Sequence, residues 1–262
     1  MEDVPPPRPL DAACHSRDAR GLAWSRRVAG ESLMTIIDTP SPNFDERSLP
    51  ITMIVLHYTG MQDAQSAIER LRDPAAKVSC HYLVAEDGTV LRMVDDDKRA
   101  WHAGRSHWRT IDDVNSASIG IEIVNPGHDW GYRPFPDEQI AAVIALVHDL
   151  KDRYAITRGN IVGHSDIAPA RKRDPGELFP WGQLARLRLA LPRPTRNLMD
   201  PMWTEAGFCL ALERFGYDVT DRMAAIMAFQ RRFRPELVDG EIDAECRMIL
   251  LALLLPRPQG DD

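Results

Sequence analysis

Ile51-Thr52-Met53-Ile54-Val55-Leu56-His57 is the stretch on which the fold turns. Residues 51–56 are apolar or β-branched and run without a break into a histidine. That pattern predicts a strand buried on both faces, with His57 delivered at its C-terminal end. Two other segments repeat the design. Ser118 to Val124 is apolar except for Glu122, held between Ile121 and Ile123, and Asn160 to Val162 passes through Gly163 into His164. Strand ends therefore carry two imidazoles, and a strand interior carries one carboxylate.

Helices fall between these strands. Asp63 to Arg72 has Ala67, Ile68 and Leu71 at helical spacing, and Asp137 to Tyr154 puts Ile140, Val143, Ile144, Val147 and Leu150 on one face after a Pro136-Asp137 start signal. Cys80 to Ala85 and Thr89 to Met93 read as paired strands, with Asp87-Gly88 as a two-residue hairpin turn. A further helix is expected over 182–191. Strands alternating with helices predict an α/β fold built on a mixed central sheet flanked by helices.

Pro192-Arg193-Pro194-Thr195-Arg196 cannot continue a helix and reads as a linker. Beyond it, Trp203 to Phe215, Thr220 to Phe233 and Asp243 to Leu254 have helical periodicity, which predicts a small all-α C-terminal domain. The expected organisation is an extension over 1–33, a main domain over 34–191, a linker over 192–197, a three-helix domain over 198–256 and a tail over 257–262. The extension, rich in Pro and Arg, reads as poorly ordered, with Met34 an alternative start.

Composition removes several classes of function. The chain has 262 residues, 44% hydrophobic and 27% charged, the balance of a folded globular protein. A formal charge of -7 argues against a protein built to neutralise nucleic-acid phosphates. Cys14, Cys80, Cys209 and Cys246 are too scattered for a thiolate zinc site or a disulfide framework. The longest apolar run, Ile249 to Leu255, is far short of the ~20 residues of a membrane-spanning helix. Residues 1–33 contain no secretory apolar stretch, and Leu10 to Cys14 is a poor lipoprotein box because of Asp11. Cytoplasm and cell envelope both stay open as locations.

No HExxH, Walker loop or CxxC pair is present, so a metal site must be assembled from distant residues. The segment Gly163-His164-Ser165-Asp166-Ile167-Ala168-Pro169-Ala170-Arg171-Lys172-Arg173-Asp174-Pro175-Gly176 places His164, Lys172 and Asp174 on one proline-stiffened loop. A lone histidine is most often a packing or surface residue. What singles out His57 and His164 is a series of five blocks in order: Ile54-Val55-Leu56-His57-Tyr58-Thr59, Val78-Ser79-Cys80-His81-Tyr82, Ala100-Trp101-His102-Ala103-Gly104, Ile119-Gly120-Ile121-Glu122-Ile123-Val124-Asn125, and the 163–176 loop.

Through these blocks, residues 51–191 resemble the zinc-dependent N-acetylmuramoyl-L-alanine amidases that share the fold of peptidoglycan recognition proteins. The resemblance implies one zinc ion held by His57, His164 and Asp174, with a position left for water. It implies Glu122 as the group that handles the proton of that water, Lys172 as the cation facing the oxyanion, and Trp101, His102 and Asn125 along the substrate groove. Asp166 stands as an alternative ligand to Asp174, although it matches a loop-structuring position. His81 reads as a core histidine. Residues 198–255, through Phe215-Gly216-Tyr217, Ala225 to Phe233 and Asp239-Gly240-Glu241-Ile242-Asp243, resemble peptidoglycan-binding three-helix domains. The implied partner is peptidoglycan or a muropeptide. A non-catalytic recognition protein is the alternative, and retention of Asp174 speaks against it.

Overall fold

The computed structural model describes residues 35–195 and 198–256, and the backbone of 23–25. The rest of the expected extension, part of the linker and the tail lie outside the described residues. Nine strands and eight α-helices are described. The strands are β1 (Ala23–Ser25), β2 (Thr35–Asp38), β3 (Phe44–Glu46), β4 (Met53–Tyr58), β5 (Tyr82–Val84), β6 (Val90–Arg92), β7 (Lys98–Ala100), β8 (Ser118–Ile123) and β9 (Ile161–Gly163). The helices are α1 (Ala64–Arg72), α2 (Val114–Ala117), α3 (Asp137–Arg153), α4 (His164–Ile167), α5 (Trp181–Arg186), α6 (Glu205–Phe215), α7 (Arg222–Phe233) and α8 (Ala244–Leu254).

The main sheet runs β1-β2-β6-β5-β8-β4-β9, and β3 pairs with β7 beside it. β5, β8, β4 and β9 are parallel neighbours, whereas β5 and β6 are antiparallel, so the sheet is mixed as expected. The β5–β6 turn differs from the two-residue form. Ala85 and Thr89 still pair across it, and Gly88 takes a positive φ of 82°, so three residues make the reversal. α5 ends at Arg186, short of the expected 191.

β4 has no solvent face. Its even positions Ile54 and Leu56, with Ile119, Ile121 and Ile123 of β8, pack under Val143, Val147 and Leu150 of α3. Its odd positions Met53 and Val55, with Val162 of β9, lie in one cluster with Phe208, Leu212, Phe229 and Leu250 of the C-terminal helices. That is why residues 51–56 show no polar alternation. Towards the other end of the sheet, α1 covers the same face as those helices, through Ala67 and Leu71 against Leu83 and Leu91.

The C-terminal helices begin where their capping residues predict: Thr204, Asp221 and Asp243 accept from Gly207 N, Ala224 N and Cys246 N. They are not suspended from a linker but continue the main core. Tyr217 donates to Asp166 Oδ1 at 2.6 Å, and Arg232 stacks on Trp181 while donating to Ile161 O at 3.2 Å. Arg109 N also donates to Gly216 O. No helix of the described residues is long and apolar enough to cross a membrane.

Two stability predictions follow from this packing. Tyr217→Phe strips a buried carboxylate of one donor and is expected to lower the unfolding free energy by about 1–3 kcal/mol, read from urea midpoints. His81 is fully buried, its Nδ1 accepting from Gly120 N at 2.9 Å. Burial and the nearby Arg47 charge push its pKa down to about 4. The unfolded chain takes up this proton below about 6.5, so stability is lost as pH falls from there towards 4. Between pH 7 and 5 His81 should account for about 2 kcal/mol in chelator-treated protein. His81→Asn should flatten that slope, and an unchanged slope would refute the assignment.

Candidate metal centre and cleft

Because β8, β4 and β9 are parallel neighbours, their C-terminal ends open on one edge of the sheet. His57 and Glu122 sit opposite each other in register, and β9 hands the chain through Gly163 to His164, the first residue of α4. The loop after α4 then folds back. Asp174 O accepts from Ser165 N at 2.8 Å, which returns Asp174 to the strand ends.

The result is a triangle of donor atoms. His57 Nδ1 lies 2.9 Å from His164 Nδ1 and 3.1 Å from Asp174 Oδ2, and the third side is 3.0 Å. All three side chains are buried. In a tetrahedral shell with metal–ligand bonds of about 2.0–2.1 Å, neighbouring ligand atoms are roughly 3.3 Å apart. The observed edges fit a small divalent cation with His, His, Asp donors, and among the described residues no other group of this kind is found. His164 Nε2 lies 3.1 Å from Ala103 O, which can only accept; the His164 proton is therefore on Nε2 and its Nδ1 lone pair faces the triangle.

Electrostatics agree with that geometry. Burial, and then the charge of His164, push the His57 pKa down to about 4, so the ring is neutral at pH 7. Burial would raise Asp174, but His164 and His57 outweigh it and hold the carboxyl well below the usual range. The site thus presents a neutral His57 imidazole and an ionised Asp174 carboxylate, the forms in which these two groups bind a metal.

A cleft of about 180 Å³ opens beside the triangle, lined by Tyr58, Trp101, Glu122, His164, Lys172 and Asp174 among others. A larger cleft of about 790 Å³ lies between residues 105–112, 167–171 and the α6–α7 turn, and contains none of the triangle. Glu122 Oε2 is buried without a hydrogen-bond partner. Burial and the charge of Asp174 raise the Glu122 pKa well above the ordinary value, with Lys172 opposing.

His57, His164, Asp174, Glu122, Lys172 and Trp101 are thus brought together. Trp101 is half-buried at the wall, and its indole N–H donates to Asp45 Oδ2. Of the other two expected groove residues, His102 lines the cleft and Asn125 does not. Asn125 is buried, with Nδ2 donating to Arg133 O and Oδ1 accepting from Gly127 N, so its polar groups are used in shaping the loop. His102, although it lines the cleft, is only 8% exposed, and its Nδ1 backs onto His57 Nε2. Asp166 is occupied with Gly163 N and Tyr217 Oη, outside the triangle. Sequence reasoning passed over Met61, Arg70 and Val78, which also line the cleft and carry no motif or periodic signal.

The sequence profile of the N-acetylmuramoyl-L-alanine amidase family matches residues 47–177. The N-acetylmuramoyl-L-alanine amidase AmiD of Escherichia coli is 40% identical over 231 residues, 78% of this chain and 82% of its own. The 1,6-anhydro-N-acetylmuramyl-L-alanine amidase AmpD of the same organism is 35% identical over 60% of this chain and 92% of its own. A solved complex of AmiD with the substrate anhydro-N-acetylmuramic acid-L-Ala-D-gamma-Glu-L-Lys superposes with a TM-score of 0.72 at 35% identity, covering 81% of this chain and 97% of that one. AmpDh3 of Pseudomonas aeruginosa superposes with a TM-score of 0.71 at 33% identity, covering 78% and 91%.

Proposed function

Because the chain belongs to the N-acetylmuramoyl-L-alanine amidase family, we propose that it hydrolyses the amide between the lactyl group of N-acetylmuramic acid and L-alanine in peptidoglycan or its fragments. The observation that carries this reading is the buried donor triangle beside a Glu122 carboxyl whose Oε2 is buried without a hydrogen-bond partner. The muropeptide bound by AmiD supports the substrate class.

His57, His164 and Asp174 would hold one zinc ion, which supplies a water of pKa about 7 and polarises the amide carbonyl. Glu122 has a free oxygen and a raised pKa at the cleft, so it can take a proton from the attacking water and pass it to the departing amine. Lys172 brings a cation to the cleft and would stabilise the negative oxygen that develops on the carbonyl. Trp101 offers an aromatic wall for sugar or peptide. The reading assigns residues 34–191 to the catalytic domain, 192–197 to a linker and 198–256 to a peptidoglycan-binding module.

The test is product analysis on purified peptidoglycan and on soluble muropeptides. Stem peptides with a free L-alanine amino terminus should be released, lost on chelation, and restored by zinc. Asp174→Ala should abolish release, and Glu122→Gln should lower kcat by roughly 10²–10⁴-fold without loss of zinc. Lys172→Ala should lower kcat by about 10²–10³-fold. Wall binding with no such peptide in any metal condition would replace the amidase with a recognition protein.

A further inference from the structure

His57 Nε2 points away from the donor triangle and lies 3.0 Å from His102 Nδ1. Two imidazole nitrogens at that distance share one proton, and the neighbours decide which ring carries it. Ser118 Oγ lies 2.5 Å from Val114 O, a carbonyl that can only accept, so the single hydroxyl hydrogen is committed there. Ser118 Oγ therefore accepts from His102 Nε2, 3.2 Å away. With its proton on Nε2, His102 presents a lone pair on Nδ1 and accepts from His57 Nε2. That leaves the His57 Nδ1 lone pair facing the triangle.

We propose that His102 is a positioning residue for the metal ligand His57, fixing its tautomer and ring angle through the relay Val114 O, Ser118 Oγ, His102, His57. The inference rests on the zinc reading above and adds to the expected place of His102 along the groove, since the residue also lines the cleft. The segment that supplies it also serves the second ligand, since Ala103 O accepts from His164 Nε2. Both backbone N–H groups of this pair, His102 N and Ala103 N, donate to Asn115 Oδ1 at 3.0 and 2.8 Å, so one buried amide holds both outer contacts in place. The sheet is cut to fit the ring. A Cβ on Gly120 would stand 2.4 Å from His102 Cγ, so only glycine at that β8 position leaves room for the imidazole behind His57.

Loss of an outer-shell partner typically weakens metal binding 10–100-fold. The experiment measures zinc dissociation constants of full-length protein by competition with a chromogenic chelator. His102→Phe keeps the ring volume and removes the acceptor; His102→Asn keeps an acceptor near the Nδ1 position. Zinc affinity should fall about 10–100-fold in the Phe variant and return to within a few fold of wild type in the Asn variant. Equal affinity of wild type and the Phe variant overturns the inference, as does an Asn variant as weak as the Phe one. Should the Phe variant not fold, Ser118→Ala decides, because it removes the acceptor that sets the His102 tautomer: several-fold weaker binding supports the relay and unchanged affinity overturns it. Failure of wild type itself to bind zinc would instead remove the metal reading.

Discussion

Three buried donor atoms within about 3 Å of one another, each turning electron density inward, are the constraint around which this molecule is arranged. Two imidazole nitrogens that both present lone pairs cannot hydrogen-bond each other, and a carboxylate adds repulsion unless a cation or proton stands between them. The fold must therefore hold the three rigidly enough that they do not relax apart. It does so by taking His57 from the end of a strand buried on both faces, His164 from the first residue after a parallel neighbour, and Asp174 from a loop tied back to Ser165. A site on rigid strand ends keeps its geometry better than one carried on free loops.

The two-sided burial of β4 links the site to the C-terminal helices. Met53 and Val55 point to the same side of the sheet as His57, and Phe208 and Phe229 belong to the cluster that covers them. Asp166, two residues beyond His164, takes its second hydrogen bond from Tyr217. Packing of the helical module thus reaches to within a few residues of a ligand, and the module shares in holding the loop that carries His164 and Asp174.

Much of this was legible in the sequence because the signals were local. Apolar runs, interrupted by a charge only at Glu122 of β8, marked β4, β8 and β9, amphipathic spacing marked α3, and Thr or Asp caps lie at the start of all three C-terminal helices. The short strands β2, β3 and β7 were missed, since three or four residues with charges among them, such as Phe44–Glu46, carry no periodicity. His102 and Asn125 were placed by resemblance along the groove, and only tertiary packing reveals that one, besides lining the cleft, backs onto His57 and the other closes its own loop. A spacing rule cannot tell which way a loop side chain faces. The continuity of the two cores was likewise hidden, because a proline-rich segment looks the same whether the module it precedes swings free or docks.

That last point bears on how a wall-binding module could assist the chemistry. A flexible tether raises effective concentration over a broad range of positions, whereas a docked module acts only on substrates that can meet both surfaces at one fixed separation. Here Tyr217, Arg232 and the shared aromatic core hold the module against the strand that bears His57, so its orientation towards the cleft is set by packing rather than by linker length. On the reading proposed above, a long glycan strand would have to present its stem peptide in register with the module's contacts, and a short soluble muropeptide would need the cleft alone. On that same reading the docked junction would make the module a filter on polymer geometry, while a small fragment would need only the cleft.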